Sequence, residues 1–230
     1  MAVDSFVVTL TMHEGQSYEG PSAFYHSFSG NGLLRQVEFH LLAESAATNP
    51  EPLCRDSLLK IKYHINKSEP ASLTTAITKA MRSSHWELLE ANASTPLADQ
   101  VGIGATCFAL RGSDLYIGQV GPGSLYLRNL LGVQKITLNA VNQSEISSEK
   151  TGQQALGIGS EDISVLLGNY PLDKDHVYLA ASSNLDNLLT YSDLESVLTS
   201  NPREAIRTLE SFIPDQQIFT AILVSPRMQG

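Results

Sequence analysis

Apolar residues recur along this chain with two different spacings, and the blocks do not alternate regularly. From Gly102 to Leu127, GIGATCFALRGSDLYIGQVGPGSLYL, the apolar runs are short. Thr106 to Leu110 is followed by Arg111-Gly112-Ser113-Asp114, and Leu115 to Val120 by Gly121-Pro122-Gly123, before Ser124 to Leu127. Runs rich in Val, Ile, Tyr and Phe between Gly, Ser and Asp predict strands joined by turns, here a meander of three. Asp4 to Thr11 and Ala23 to Phe28 predict two more strands, separated by a polar loop over His13 to Ser22. Ser29-Gly30-Asn31-Gly32 is a turn, and Gln36 to Ala43 follows with Val37, Phe39 and Leu41 on one face. These first three strands read as an antiparallel meander.

The spacing then lengthens. Leu53, Cys54, Leu58, Ile61 and Ile65 form one helical stripe, and Ser68-Glu69-Pro70 interrupts it. A longer helix over Ala71 to Ala91 carries Leu73, Ile77, Met81 and Leu88, with Trp86 as a partly buried packing residue. Asn92 to Gln100 is a connecting loop. Beyond the central meander, strands are predicted at Val133 to Leu138, Ile163 to Leu167 and His176 to Ala181, with a flexible surface segment over Asn139 to Gln154. Ser192 and Glu195 have capping-box spacing. Asn201-Pro202 opens a further helix, in which Pro202 suits the first position and Ala205, Ile206, Leu209 and Phe212 share a face. Ile218 to Val224, nearly all apolar, predicts a central buried strand.

Strands, two helices, strands, two helices and a strand do not make a parallel α/β pattern. They define an α+β class, two sheets face to face with helices outside, in one domain spanning 1–230. At 230 residues the chain can bury a core without staples. Hydrophobic residues at 42% place it among globular proteins. Its net charge of −9 argues against a nucleic-acid backbone as partner. Cys54 and Cys107 fit no disulfide or zinc spacing and read as small buried hydrophobes. No apolar run approaches the ~20 residues that cross a bilayer. The first residues lack the basic start of a signal peptide, so a cytoplasmic location is expected, with no membrane partner.

Six segments, in order, resemble the PPM family, the metal-dependent protein serine/threonine phosphatases of type 2C. Gly104-Ala105-Thr106 is similar to the family's Gly-Thr-Thr/Ser, and Leu115-Tyr116-Ile117 with Val120-Gly121 to its "LYVANVG". Ala155-Leu156-Gly157 stands where the family has Ala-Leu-Gly. Leu179-Ala180-Ala181-Ser182 with Leu185 is similar to "LLASDGL", Asn201 to Ala205 to the penultimate helix, and Phe219 to Val224 to the closing "DNITVVVV" strand. The resemblance, which runs with gaps from Val7 to Val224, implies a four-layer α-β-β-α sandwich of two mainly antiparallel sheets with a helix pair on each outer face. It also implies aspartates that hold two Mn²⁺ or Mg²⁺ ions at the sandwich edge. Two dications about 4 Å apart repel by about 17 kcal/mol at an effective dielectric of ~20, so anionic ligands are required there. The metals would generate the nucleophile and clamp the phosphoryl group.

By the same resemblance, the acids are mostly replaced. Ser22 aligns with the first metal-ligand Asp, and Glu44-Ser45 with the pivotal Asp-Gly. Ser183-Asn184 takes the place of the later Asp-Gly, and Gln217 that of the Asp before the last strand. The family's Gly-Asp-Ser-Arg turn has become Gly121-Pro122-Gly123-Ser124, so Pro122 and Gly123 join the altered positions. Only Glu44 keeps a carboxylate, one methylene longer than the family's. One carboxylate does not hold two hard cations. The expectation is a pseudophosphatase: no catalytic or metal residues, no cofactor, and a protein-binding or regulatory role with a protein partner, phosphorylated or not. The alternative is a divergent Mn/Mg-dependent phosphatase whose site is rearranged around acids such as Glu161, Asp162, Asp173 and Asp175.

Other chemistry is poorly supported. His13, His26, His40, His64, His85 and His176 are scattered, and structural or surface roles are expected for them. There is no Gly-x-Ser-x-Gly elbow. Gly157-Ile158-Gly159-Ser160 lacks the following helix and Lys of a phosphate cradle and reads as a turn.

Overall fold

The computed structural model describes residues 5–67, 72–96, 99–140, 154–159, 162–199 and 201–226. The first part contains β1 (Ser5–His13), β2 (Gln16–Tyr18), β3 (Tyr25–Ser29), a 3-10 turn (Gly32–Leu34) and β4 (Glu38–Ser45). Two long helices follow, α1 (Pro50–Lys67) and α2 (Leu73–Asn92). The middle holds β5 (Ile103–Arg111), β6 (Asp114–Val120), β7 (Ser124–Asn129), β8 (Gly132–Lys135) and β9 (Asn139–Ala140). Then come β10 (Leu166–Pro171), β11 (Val177–Ala181), α3 (Leu185–Leu188), α4 (Tyr191–Val197), α5 (Pro202–Glu210) and β12 (Phe219–Pro226).

The strands form two six-stranded antiparallel sheets, β2-β1-β12-β11-β7-β8 and β3-β4-β5-β6-β10-β9. Side chains of a strand point alternately to its two faces, and that alternation builds the layers. In β4, Phe39, Leu41 and Ala43 pack in one cluster with Leu58 and Ile61 of α1 and Ile77 and Met81 of α2. Leu42 instead joins Phe108, Ile117, Leu125, Tyr178 and Ile222, which fill the space between the sheets. In β12 the same rule sends Phe219, Ala221 and Leu223 toward α4 and α5, and Ile222 and Val224 between the sheets. The result is the expected α-β-β-α sandwich. β12 is central, between β1 and β11.

Close approach of α2 to its sheet requires Gly118 in β6. A Cβ there would lie 2.4 Å from Cγ2 of Ile77.

Several sequence expectations shift. The first three strands are not one meander, because β1 and β2 belong to one sheet and β3 and β4 to the other. The central meander is also split: β5 and β6 form a hairpin, but β7 pairs with β11 and β8 in the opposite sheet. Gly121-Pro122-Gly123 is thus a crossover between layers. β2 lies within the expected loop, closed against β1 by Glu14 (φ 51°) and Gly15 (φ 71°), as a tight hairpin turn requires. Ile163 and Val165 are buried yet precede β10, which starts at Leu166.

Helix α4 starts two residues earlier than expected. Its N-cap is Thr190, whose Oγ1 accepts from Asp193 N at 3.3 Å while Asp193 Oδ2 accepts from Thr190 N at 2.9 Å. Thr190-x-x-Asp193 and Ser192-x-x-Glu195 share the capping spacing; the extended Thr190 backbone selects the first. Asn201 and Pro202 open α5 as expected, but Phe212 lies beyond its end and is 38% exposed. Trp86 faces outward on α2 at 49% exposure rather than packing. The expected flexible segment lies outside the described residues from 141 to 153; Asn139–Ala140 is a strand, and Gln154 Oε1 accepts from Ser164 N at 2.7 Å.

Candidate functional site

Five chain segments meet at one end of the sandwich: the ends of β4 and β11, the starts of β5 and β12, and the β6–β7 crossover. Between them lies a cleft of about 420 Å³. Glu44, Ser45, Pro122, Ser183 and Asn184 line it, with apolar walls from Phe24, Ile158 and Ile218.

Alternation along β4 turns Glu44 to the same side as Leu42, toward the other sheet. There its Oε2 accepts from the backbone N of Ser183 at 2.9 Å and from Ser183 Oγ at 3.0 Å. Oε1 is shielded from solvent and has no partner. Burial raises the Glu44 pKa, and the Ser183 hydrogen bonds oppose that rise. Below it, burial and then the Glu44 charge push the Cys54 thiol up to about 12. Gly104 pairs with Glu44 across β4–β5, and a Cβ on it would meet Pro122 O at 2.9 Å and Glu44 Cγ at 3.1 Å. Glycine at 104 lets the carboxylate and the crossover close over the strand.

The crossover holds its shape without an acid. Gly121 has φ 80°, a conformation that side-chain-bearing residues rarely adopt. Gln119 braces the turn, donating from Nε2 to Gly123 O at 3.1 Å and to Thr106 Oγ1 at 3.4 Å.

Past β11, Ser182 pairs with β12 through Ser182 N to Thr220 O and Thr220 N to Ser182 Oγ, both 2.9 Å. Asn184 Nδ2 donates to Gln217 Oε1 at 3.0 Å, which ties the loop after β11 to the approach to β12. Asn184 Oδ1 and Thr220 Oγ1, like Glu44 Oε1, are buried without a partner. Ser45 Oγ donates to Gly102 O at 3.1 Å and accepts from Ala47 N at 3.3 Å, turning the chain out of β4.

Of the eight positions singled out in the sequence, five line the cleft and Gln217 is bonded to one of those five. Ser22 and Gly123 do not line it. Ser22 Oγ instead accepts from Phe24 N at 3.2 Å and Tyr25 N at 3.1 Å and shares a 3.0 Å hydrogen bond with Thr11, a local Ser turn. Sequence reading missed Thr220, Ser182 and Ile158 as wall residues. Ser182 and Thr220 stand beside altered positions, and adjacency was the available signal. Ile158 carried none, since its wall position comes from the turn between Gly157 (φ 83°) and Gly159 (φ 91°).

The cleft has one carboxylate, and no Lys, Arg or His lines it among the described residues. No group of three or more His, Cys, Asp or Glu is placed to hold a metal among the described residues. Four of the histidines have separate partners. His13 faces Glu51 at 3.0 Å, His26 faces Lys62 at 3.1 Å, His64 faces Glu87 at 2.8 Å, and His85 accepts from Gly157 N at 3.1 Å. His40 bonds Tyr25 OH at 2.7 Å between the sheets, and burial drives its pKa down to about 4.

A second polar cluster lies on the outer side of the other sheet. Asp186 of α3 accepts from Ser124 Oγ at 2.7 Å and Tyr126 OH at 2.8 Å, and it pairs with Lys135. Burial pushes the Asp186 pKa up, but the hydrogen bonds from Lys135, Ser124 and Tyr126 and the Lys135 charge outweigh it and hold it below the ordinary value.

Comparison with solved structures places this architecture. A serine/threonine phosphatase of S. agalactiae superimposes with a TM-score of 0.73 at 15% identity, covering 97% of this chain and 100% of that one. The PPM Ser-Thr phosphatase MsPP from Mycobacterium smegmatis, in complex with cacodylate, gives 0.65 at 14% identity over 99% and 100%. The catalytic domain of the serine/threonine protein phosphatase PstP, in complex with two manganese ions, gives 0.63 at 13% identity over 96% and 99%. This chain has the fold of the PPM serine/threonine phosphatases, end to end. No family model matches its sequence. No curated protein matches it either.

Proposed function

We propose that this chain is a binding or regulatory module on a phosphatase fold, without phosphoester hydrolysis of its own. The observation that carries this reading is the Glu44–Ser183 pair. At the edge where the resemblance calls for clustered acids, the one carboxylate among the described residues has a raised pKa and one oxygen spent on Ser183. Asn184 and Gln217, both neutral, bond to each other. Each hard dication is typically held by one or two carboxylates, its other oxygen sites filled by water, so two side by side need several acids, and the described donor set has one. No metal-dependent step is therefore assigned here.

The cleft's apolar walls, from Phe24, Ile158 and Ile218, suit an apolar side chain of a protein partner. They do not suit a phosphate, because no cation among the described residues faces it. The partner on this reading is a protein. Both cysteines are free and buried, in keeping with work in the cytoplasm, and no helix among the described residues is long and apolar enough to cross a membrane.

The test is hydrolysis of p-nitrophenyl phosphate in the presence of Mn²⁺, alongside calorimetric Mn²⁺ titration. Neither turnover nor tight metal binding is expected. Robust Mn²⁺-dependent turnover that Glu44→Ala abolishes would overturn the reading in favour of a divergent phosphatase.

A further inference from the structure

At the other end of the sandwich lies a groove of about 810 Å³ whose lining includes Leu33, Arg35, Gln36, Asn66, Lys67 and Arg111. β4 and β5 run between the two sites: Ser45 opposite Ile103 marks the cleft end, and Glu38 opposite Leu110 marks the groove end. Seven residue steps along the strand separate these ends, roughly 23 Å.

Charge sets the groove apart. The molecule carries a net charge of −9, yet among the described residues the groove is lined by three cations and no acid. The nearest acids by register, Glu38 beside β3 and Asp114 opposite Arg111, form no ion pair with either arginine. Lys67 sits in the last turn of α1 and lies over the Tyr63 ring at 5.3 Å, so part of its role is to complement the helix terminus. Arg35 and Arg111 have no such assignment among the described residues.

Both arginines are carried on well-held turns. Arg35 ends the 3-10 turn, which buried Leu34 anchors and which Gly30 N to Val37 O at 2.9 Å and Val37 N to Leu34 O at 2.8 Å close. Arg111 opens the β5–β6 hairpin turn, where Gly112 has φ 61°. Leu33, 78% exposed, offers an apolar contact beside them.

We infer that this groove docks a phosphorylated segment of a protein partner. Two guanidinium forks suit the oxygens of a phosphoryl dianion, which they can grip bidentately. Leu33 takes a neighbouring apolar side chain. A nucleic-acid strand would need cations along its whole path, and a net charge of −9 disfavours that. The inference does not depend on whether the cleft is silent, because the two sites share no residue.

The experiment uses the whole chain and a short peptide carrying the phosphonate analogue of phosphoserine. The phosphonate resists hydrolysis, so an active cleft would not mask binding. Arg35 and Arg111 side-chain Nε–Hε resonances should shift on titration with this peptide and with inorganic phosphate. Arg35→Glu and Arg111→Glu should each weaken peptide binding about tenfold or more. Both positions are exposed, so the variants should melt with the parent, and a melting curve checks this. Equal affinity for the unphosphorylated peptide, undiminished binding in the double variant, or preference for single-stranded RNA would each overturn the inference.

Discussion

Glu44 and Ser183 stand 139 positions apart in the chain and are joined by two hydrogen bonds, 2.9 and 3.0 Å long, that fasten one sheet to the loop leaving the other. Removing the hydroxyl should therefore be felt in global stability. Ser183→Ala is expected to cost about 1–3 kcal/mol, because it deprives a buried acceptor of a donor. It should also raise the Glu44 pKa further, since that hydrogen bond lowers it. Urea unfolding at neutral pH measures the first effect, and ¹³C-carboxyl titration of Glu44 the second.

The raised pKa of Glu44 has a defined sign. The folded state binds its proton more tightly than the unfolded chain does, so the associated stability is fully present below the unfolded value, ~4.3, and is lost as pH rises through the folded value. Glu44→Gln carries no such titration. The variant should match the parent in acid, gain on it as pH rises from the unfolded to the folded value, and keep a constant lead above that. A melting series across pH that showed a constant difference between the two would contradict this.

Asp186 behaves in the opposite way. Its pKa is depressed, so its contribution is present above the unfolded value, ~3.9, and is lost as pH falls through the lower folded value. Asp186→Ala should cost about 1 kcal/mol at neutral pH, a small figure because the carboxylate is partly exposed and screened. The cost should shrink in acid and in high salt, which paired denaturation curves would show.

Gly118 and Ile77 should be coupled. Gly118→Val places carbon where the Ile77 methyl already lies, and overpacking of this kind costs about 1–3 kcal/mol. Ile77→Ala alone should cost about 2–5 kcal/mol through its cavity. The double variant should be more stable than the sum of the two predicts, and a double-mutant cycle measures the difference.

How much of this was legible in the sequence follows from which signals are local. The stripes of α1 and α2, the Asn201-Pro202 start of α5 and the central burial of β12 are written in spacing alone. Layer membership is not. Val120 and Ser124 flank a break that reads as an ordinary turn, and nothing in three residues says that the chain changes sheets there. The α4 start was ambiguous for a related reason: Thr190-x-x-Asp193 and Ser192-x-x-Glu195 overlap, and the extended backbone at Thr190 decides between them. The altered site positions came from resemblance, which indicated that Ser183 and Glu44 belong to one edge but not that they bond to each other. The Arg35 and Arg111 groove was invisible because its two arginines come from turns 76 positions apart.

The crossover at Gly121-Pro122-Gly123 has a consequence for how the molecule comes apart. Three residues leave no slack between β6 in one layer and β7 in the other, and β12 must be in place before the Ser182–Thr220 bonds that close the same end can form. Neither sheet can loosen far without pulling on its neighbour. Amides of β5 and β6 should therefore exchange with solvent in the same cooperative unit as those of β11 and β12, at the free energy of global unfolding, although the two groups belong to different sheets.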